Sequence, residues 1–327
     1  MELNLKIIQD LKNKILKGKY ITKEEALLLC NQPLKYLAYA ANEIRGHFCG
    51  TKFDVCSIVN AKSGMCSEDC KYCAQSVYNL TEAQIHDLLE KDEIVKLAKY
   101  NSSKGIIRFS IVTSGKKISN KELDQICDII TTIKTETSIR ICTSLGLLNE
   151  SQFTKLKDAG VTRIHNNLET SRNHFQNICT THTYEDKIAS IKAAKNVGLN
   201  VCSGGIMGLG ENMEDRIDMA FELRDLDISS IPINILNPIK GTPLENNKIL
   251  SNDELCRIVA IYRFILPNSY IRLAGGRGLL SDKGLKCFQS GSNAAISGDM
   301  LTTKGISIDY DMTMIKKLGY NAKYCNN

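Results

Sequence analysis

The chain has 327 residues, 43% hydrophobic and 24% charged, and its 42 basic against 36 acidic side chains leave a net charge of +6. That is the composition of an ordinary globular protein with a full core. The basic residues are spread along the chain rather than gathered into runs, which argues against nucleic acid or a membrane surface as partners. No run of eighteen apolar residues occurs, and the first twenty residues alternate charged with apolar positions, so the expectation is a cytoplasmic protein with no membrane span or signal peptide.

Residues 3 to 18 and 22 to 45 carry apolar positions at intervals of three and four, and Thr22 with Glu25 forms a capping box, so two leading helices are expected, a cap over residues 1–50. From residue 53 short β-branched runs alternate with longer amphipathic segments. The strand candidates are FDVCSIVNA from 53, GIIRFSIVTS from 105, SIRICTSLG from 138, VTRIHNNLE from 161, LNVCSGGIM from 199, SIPINIL from 230, SYIRLAGG from 269 and NAAISG from 293. Helical segments are expected near 81–100, 119–134, 150–159, 184–197, 213–225, 251–265, 281–289 and 311–318. Eight strand–helix units match the size of an α/β fold of the (β/α)8 TIM-barrel type, here with an N-terminal helical extension, a barrel over 51–320 and a tail over 321–327. A doubly wound open sheet is the alternative. It calls for a Gly-rich phosphate turn after the first strand, and this chain carries cysteines there.

Those cysteines are Cys66, Cys70 and Cys73, in a C-x3-C-x2-C spacing with Tyr72 before the last. Three thiolates in one short loop can converge on a metal centre, but they are one too few to close a tetrahedral zinc or a cubane iron–sulfur cluster, which implies an open iron. A structural zinc with a fourth ligand from elsewhere is the plainer alternative. The chain has thirteen cysteines, an odd number that argues against a complete disulfide framework. Cys30, Cys127, Cys179, Cys256 and Cys325 are read as core packing.

Inward residues near the C-terminal ends of barrel strands are the expected lining of an active site. Cys56, Cys142, Cys202 and Arg272 lie on the first, third, fifth and seventh strand candidates; together they would form a second cluster site deeper in the barrel. A guanidinium inside a closed barrel must be paired or touch a ligand. On the fourth strand His165, Asn167 and Glu169 share a face by period two and suit a polar ligand such as a nucleoside. Asn234, on the sixth strand, either bonds a substrate amide or caps a loop.

The cysteine loop resembles that of the radical S-adenosylmethionine enzymes. GMCSEDCKYCAQS, HNNLETS, VCSGGIMGLGE, PINILNPIKGTPL and YIRLAGGR, in that order, resemble the biotin synthase family along nearly the whole chain. The resemblance implies that Cys66, Cys70 and Cys73 hold a [4Fe-4S] cluster whose open iron chelates S-adenosylmethionine. One electron from a low-potential donor of the flavodoxin or ferredoxin type then yields a 5′-deoxyadenosyl radical. The radical takes hydrogen from dethiobiotin, and an auxiliary iron–sulfur cluster supplies the inserted sulfur. The resemblance also implies a homodimer and the residue roles. Tyr72, Asn167, Glu169 and Lys187 would contact cofactor, His165, Asn167 and Asn234 the nucleoside or substrate, and Cys142, Cys202 and Arg272 would be auxiliary-cluster ligands.

The chain departs from the family pattern at three positions. Ser110 replaces the second-strand cysteine, and a hydroxyl is a poor iron ligand beside a thiolate. The family's [2Fe-2S] auxiliary cluster is therefore open to replacement by a larger cluster with an extra sulfide, with Cys56 supplying the missing thiolate from the neighbouring strand. His165 stands where asparagine is usual, and Lys187 where arginine is usual, keeping charge but losing the bidentate fork. The competing expectations are a related radical enzyme such as a hydrogenase maturase, and a non-catalytic iron–sulfur or zinc scaffold.

Overall fold

The structure is a computed structural model and describes residues 2–322. Three helices lead: α1 Glu2–Leu16, α2 Lys23–Leu28 and α3 Leu34–Cys49. The single helix expected over 22–45 is thus broken. Thr22 and Glu25 form the expected capping box, but Gln32 turns extended (ψ 152°) ahead of Pro33, whose ring excludes the helical conformation from the residue before it.

The barrel strands are β1 Lys52–Lys62, β2 Arg108–Thr113, β3 Arg140–Ser144, β4 Val161–His165, β5 Asn200–Cys202, β6 Gly205–Met207, β7 Ser230–Ile235, β8 Tyr270–Leu273 and β9 Ala294–Ile296. All neighbouring strands run parallel, and β9 returns to pair with β1, closing the sheet. The expected fifth strand is divided: β5 and β6 both pair with β7, the first through Cys202 and Ser230, the second through Gly205 and Ile233. Pro232 lies in β7 between these contacts and has no N–H to continue the ladder. Gly204 sits so close to the Pro232 carbonyl that a Cβ there would come within 2.0 Å of it. Counting β5 and β6 as one stave gives the expected eight.

The outer helices are α4 Lys91–Ser103, α5 Asn120–Glu136, α6 Glu150–Ala159, α7 Tyr184–Asn196, α8 Met213–Asp225, α9 Asn252–Ile265, α10 Leu285–Gln289 and α11 Ile308–Lys317. The helix expected from residue 81 begins only at Lys91. Residues 81–90 instead run back along the end of β1, with Ser63 and His86 exchanging backbone bonds of 3.1 Å and the Leu89 N–H donating to Ala61. A tenth strand, β10 Asn321–Ala322, pairs with Lys52 and Phe53. Cys325 lies outside the described residues. No described helix is long and apolar enough to cross a membrane.

Period-two alternation sorts each strand. Phe53, Val55 and Val59 of β1 and Phe109 and Ile111 of β2 join the main apolar core. The alternate positions, Cys56 and Ile58 on β1, Arg108 and Ser110 on β2, line an interior cavity instead. The interior of this barrel is therefore polar and sulfur-rich, and its outer layer carries the apolar packing.

Candidate functional site

One cavity of about 410 Å³ collects every site residue singled out from the sequence: Cys56, Cys66, Cys70, Tyr72, Cys73, Ser110, Cys142, His165, Asn167, Glu169, Lys187, Cys202, Asn234 and Arg272. They occupy three zones.

The cysteine loop forms the first. It leaves β1 through Gly64 and Met65, both in the left-handed region (φ 77° and 51°). A Cβ on Gly64 would meet the Ile85 side chain at 2.7 Å, so glycine is needed there for both reasons. The loop holds itself with the Cys66 N–H on the Gln75 carbonyl (3.0 Å), the Val77 N–H on Cys66 (2.9 Å) and the Cys73 N–H on Cys70 (3.0 Å). The Asn79 amide donates to the carbonyls of Cys70 and Cys73. A second segment, residues 178–183, clasps it. The Asp69 carboxylate accepts from the backbone N–H groups of Thr180 and Thr181, the Thr180 and Thr181 hydroxyls and the Cys179 thiol. Glu68 pairs with the buried His182 at 2.5 Å.

Among the described residues, Cys70, Cys179 and His182 bring their ligand atoms within 4.8 Å of one another, and the trio Cys66, Cys70, Cys73 does not. Zinc–thiolate bonds of about 2.3 Å would draw three sulfurs to within about 4 Å of each other. The wider spacing of the three loop cysteines suits a multi-iron cluster better than one ion. Burial pushes the Cys73 thiol up to about 11, and the hydrogen bond that Cys70 donates to Cys179, then burial, raises Cys70. Ligation by a cation reverses such shifts, since the thiolate is the ligand. Cys179 is buried in the core as expected and also faces Cys70, whose hydrogen bond draws it down to about 4. Cys256 is buried with its sulfur 3.6 Å from Cys287, and Cys30 and Cys127 are half-buried against the core.

The wall is the second zone. The strand expected through residue 169 stops at His165, because Glu169 takes a left-handed conformation (φ 71°) and the chain turns across β6. The Ile206 N–H reaches the Glu169 carbonyl at 2.8 Å. Asn167 accepts from the Gly204 N–H (3.1 Å) and donates to Glu169 (3.3 Å), while the Lys187 ammonium stands 3.9 Å from the Glu169 carboxylate. Burial, then the Glu169 charge, holds the Tyr72 phenol well above its usual range. Asn234 donates to the Gly205 carbonyl (3.1 Å) and accepts from the Gly275 N–H (2.9 Å), bracing β6 and the turn after β8 while lining the cavity.

The floor is the third. Arg272 is almost wholly buried and is paired: its guanidinium reaches the Asp54 carboxylate at 3.1 Å and the carbonyls of Asp54 and Ala295. Arg163 meets the same carboxylate at 3.2 Å and Arg108 at 4.0 Å. Burial would raise the Asp54 pKa, but Arg272, Arg163 and Arg108 outweigh it and hold the carboxyl well below its usual range. One carboxylate among three guanidiniums leaves a surplus of about two positive charges, and Nε of both Arg108 and Arg163 is buried without a partner. Such a floor calls for an anionic occupant. Above it stand three thiols. Burial lifts Cys56 to about 12 and raises Cys142. At Cys202 burial is outweighed by a hydrogen bond from His165 and by Arg272, bringing it to about 6. Ser110 stands in register beside Cys142. Thiolates that carry bridging sulfide and iron fit both the charge and the donor set of this floor.

Sequence reading missed Asp54, Arg108 and Arg163, and the clasp of Glu68, Asp69, Cys179 and His182. The first three did carry a signal: charged residues at alternate positions inside apolar strands. The clasp carried none, because its partners are more than a hundred residues apart.

A closed parallel barrel with a three-cysteine loop at its mouth defines a radical S-adenosylmethionine enzyme. Residues 62–223 match the radical SAM superfamily, and residues 232–321 match the biotin and thiamin synthesis associated domain. Biotin synthases of Brachyspira hyodysenteriae and Clostridium botulinum are 58% and 56% identical, over 96% and 97% of this chain and 94% and 99% of theirs. The chain belongs to the biotin synthase family: it inserts sulfur into dethiobiotin to form biotin by radical chemistry, with a [4Fe-4S] cluster, S-adenosylmethionine and, by family, an auxiliary iron–sulfur cluster. Methylornithine synthase (TM-score 0.84, 19% identity, 96% of this chain and 97% of that one) and the hydrogenase maturase HydG (0.84, 20%, 98% and 76%) share the fold. At that identity they bear on fold alone.

Proposed function

We propose that the three zones divide the work of sulfur insertion. In this reading Cys66, Cys70 and Cys73 hold the [4Fe-4S] cluster at the mouth. Tyr72, Asn167, Glu169 and Lys187 hold S-adenosylmethionine along the wall, and His165, Asn167 and Asn234 face substrate. Cys56, Cys142 and Cys202 hold the auxiliary cluster on the arginine floor. The observation that carries it is the opening of two separate thiol sets onto one cavity. When bound, the mouth cluster with S-adenosylmethionine supplies a carbon radical able to take hydrogen from an unactivated carbon, and the auxiliary cluster supplies sulfur.

The protein's part is alignment, exclusion of water and charge compensation. Glu169 suits ribose hydroxyls or an amino group, and Lys187 neutralises carboxylate charge near it. Asn234 offers an amide already fixed by two backbone bonds, which suits a cyclic urea with little ordering cost. Arg272, expected as a ligand, is committed to Asp54 and two carbonyls, so its role is to compensate charge under the cluster. Ser110 stands in register beside Cys142 and leaves that sulfur to serve the cluster. The surplus charge favours an auxiliary cluster more anionic than a [2Fe-2S], such as a larger one with an extra sulfide. The protein works with a low-potential flavodoxin or ferredoxin as electron donor, as a cytoplasmic homodimer.

Anaerobic reconstitution tests the reading. Brown protein that cleaves S-adenosylmethionine only with a reductant is expected; a colourless protein with one zinc would overturn it. In the Cys56→Ala variant, iron and sulfide should fall by the content of the auxiliary cluster, and an unchanged auxiliary cluster removes Cys56 from the ligand set.

A further inference from the structure

Beside the mouth of the barrel lies a second group of metal-ligating side chains that sulfur insertion leaves unused. Cys179 and His182 stand three residues apart in the segment between β4 and α7, and Cys70 reaches them from the cysteine loop. The ligand atoms of the three lie within 4.8 Å of one another, and the Cys179 sulfur is 3.2 Å from His182 Nδ1. A tetrahedral zinc would set a thiolate and an imidazole nitrogen about 3.5 Å apart, and two thiolates about 3.8 Å apart. Small side-chain movements therefore close the trio on one ion, with water in the fourth position.

Local packing holds the donors in place. The Lys71 N–H donates to the Ile178 carbonyl at 3.0 Å, pinning the two segments together beside Cys70, and the Cys179 N–H donates to the Phe175 carbonyl at 3.1 Å. The His182 ring packs edge-on against Phe175, with ring centroids 5.6 Å apart. Two carboxylates flank the trio: Glu68 lies 2.5 Å from His182 Nδ1, and Asp69 3.1 Å from the Cys179 sulfur. Their charge favours a cation. Sulfur and nitrogen donors select one of the zinc class over magnesium or calcium, which take oxygen ligands.

Cys70 decides what such a site does. It lines the substrate cavity together with Cys66 and Cys73, and the lining does not include Cys179. One sulfur thus stands between two ligand sets, the loop cysteines on the cavity side and the Cys179–His182 pair on the other. We propose that in the cluster-free protein Cys70, Cys179 and His182 bind one dication of the zinc class, and that this ion and the mouth cluster exclude each other because both require the Cys70 thiolate. Each of the two thiols gives up a proton to solvent as the ion binds, and nothing is oxidised or reduced. The inference rests on the reading of Cys66, Cys70 and Cys73 as cluster ligands and adds a metal-dependent block on loading them.

The test uses the full chain, stripped of iron by a chelator under anaerobic, reducing conditions, with cobalt(II) as the optical probe. One equivalent should give the visible bands of a tetrahedral ion and a sulfur-to-cobalt charge-transfer band. Cys179→Ser and His182→Ala should each weaken cobalt binding by about tenfold or more, while Cys66→Ser leaves it within about twofold of the parent. Zinc added before iron and sulfide should slow the gain of dithionite-dependent S-adenosylmethionine cleavage, which reports the mouth cluster, by about tenfold in the parent and not in Cys179→Ser. Brown colour gained by that variant without zinc shows that it folds. Cobalt bands that survive Cys179→Ser, or that vanish in Cys66→Ser, overturn the inference by giving the ion to another thiol set. So does zinc that leaves the parent's gain of cleavage unchanged. A stripped parent that forms the cluster but takes up no cobalt overturns the inference alone; one that never forms a cluster, even without zinc, overturns the cluster reading and the inference with it.

Discussion

The exchange of Ser110 and Cys56 is the sharpest residue-level feature of the site. Ser110 pairs in register with Cys142 on one side and Ile58 on the other, while Cys56 stands one inward position below Ile58 on β1. In the proposed ligand set the thiol lies one strand over and one layer down from Ser110, toward the arginines. Ser110→Cys in the Cys56→Ala background should therefore restore auxiliary iron, whereas Ser110→Cys alone should leave iron and sulfide counts unchanged. A second residue-level expectation concerns Asp54. Asp54→Asn leaves three buried guanidiniums without their carboxylate, and the cluster-free protein should lose about 3–5 kcal/mol of stability, read as a lower melting temperature. The sequence displayed these charges inside strands, but not that they meet. Cβ alternation can be counted along one strand, while convergence depends on barrel register.

At the scale of elements, the strand–helix alternation was readable because period two and period 3.6 leave different traces. The failures have local causes: Pro33 divides a helix, Pro232 divides a strand, and residues 81–90 prefer backbone pairing with β1 to an uncapped helical turn. The clasp between the cysteine loop and residues 178–183 is the element on which the mouth depends. Asp69→Ala removes the acceptor for its hydrogen bonds, and the variant should retain its fold by circular dichroism yet lose mouth-cluster iron faster under a chelator. Equal rates of iron loss would show that the loop stands unaided. Helix ends carry ordinary weight here. At α9, Ser251 accepts from the Glu254 N–H while Glu254 reaches back, and Ser251→Ala should cost about 1 kcal/mol without changing iron content.

Over the whole molecule, the barrel brings two thiol sets, six cysteines from four separate stretches of sequence, into one cavity, one at the mouth and one on a cationic floor. Much of that candidate site was legible because thiols, an arginine and an amide are conspicuous inside apolar strands. Its charge balance was not, since it exists only when β1, β2, β4 and β8 close around Asp54. The central claim is that both sets act on one substrate in one turnover. Anaerobic single-turnover reaction of the reconstituted enzyme with dethiobiotin, S-adenosylmethionine and a low-potential reductant measures this directly. The account predicts biotin, with the auxiliary cluster consumed as it forms; intact clusters that cleave S-adenosylmethionine yet yield no biotin would contradict it.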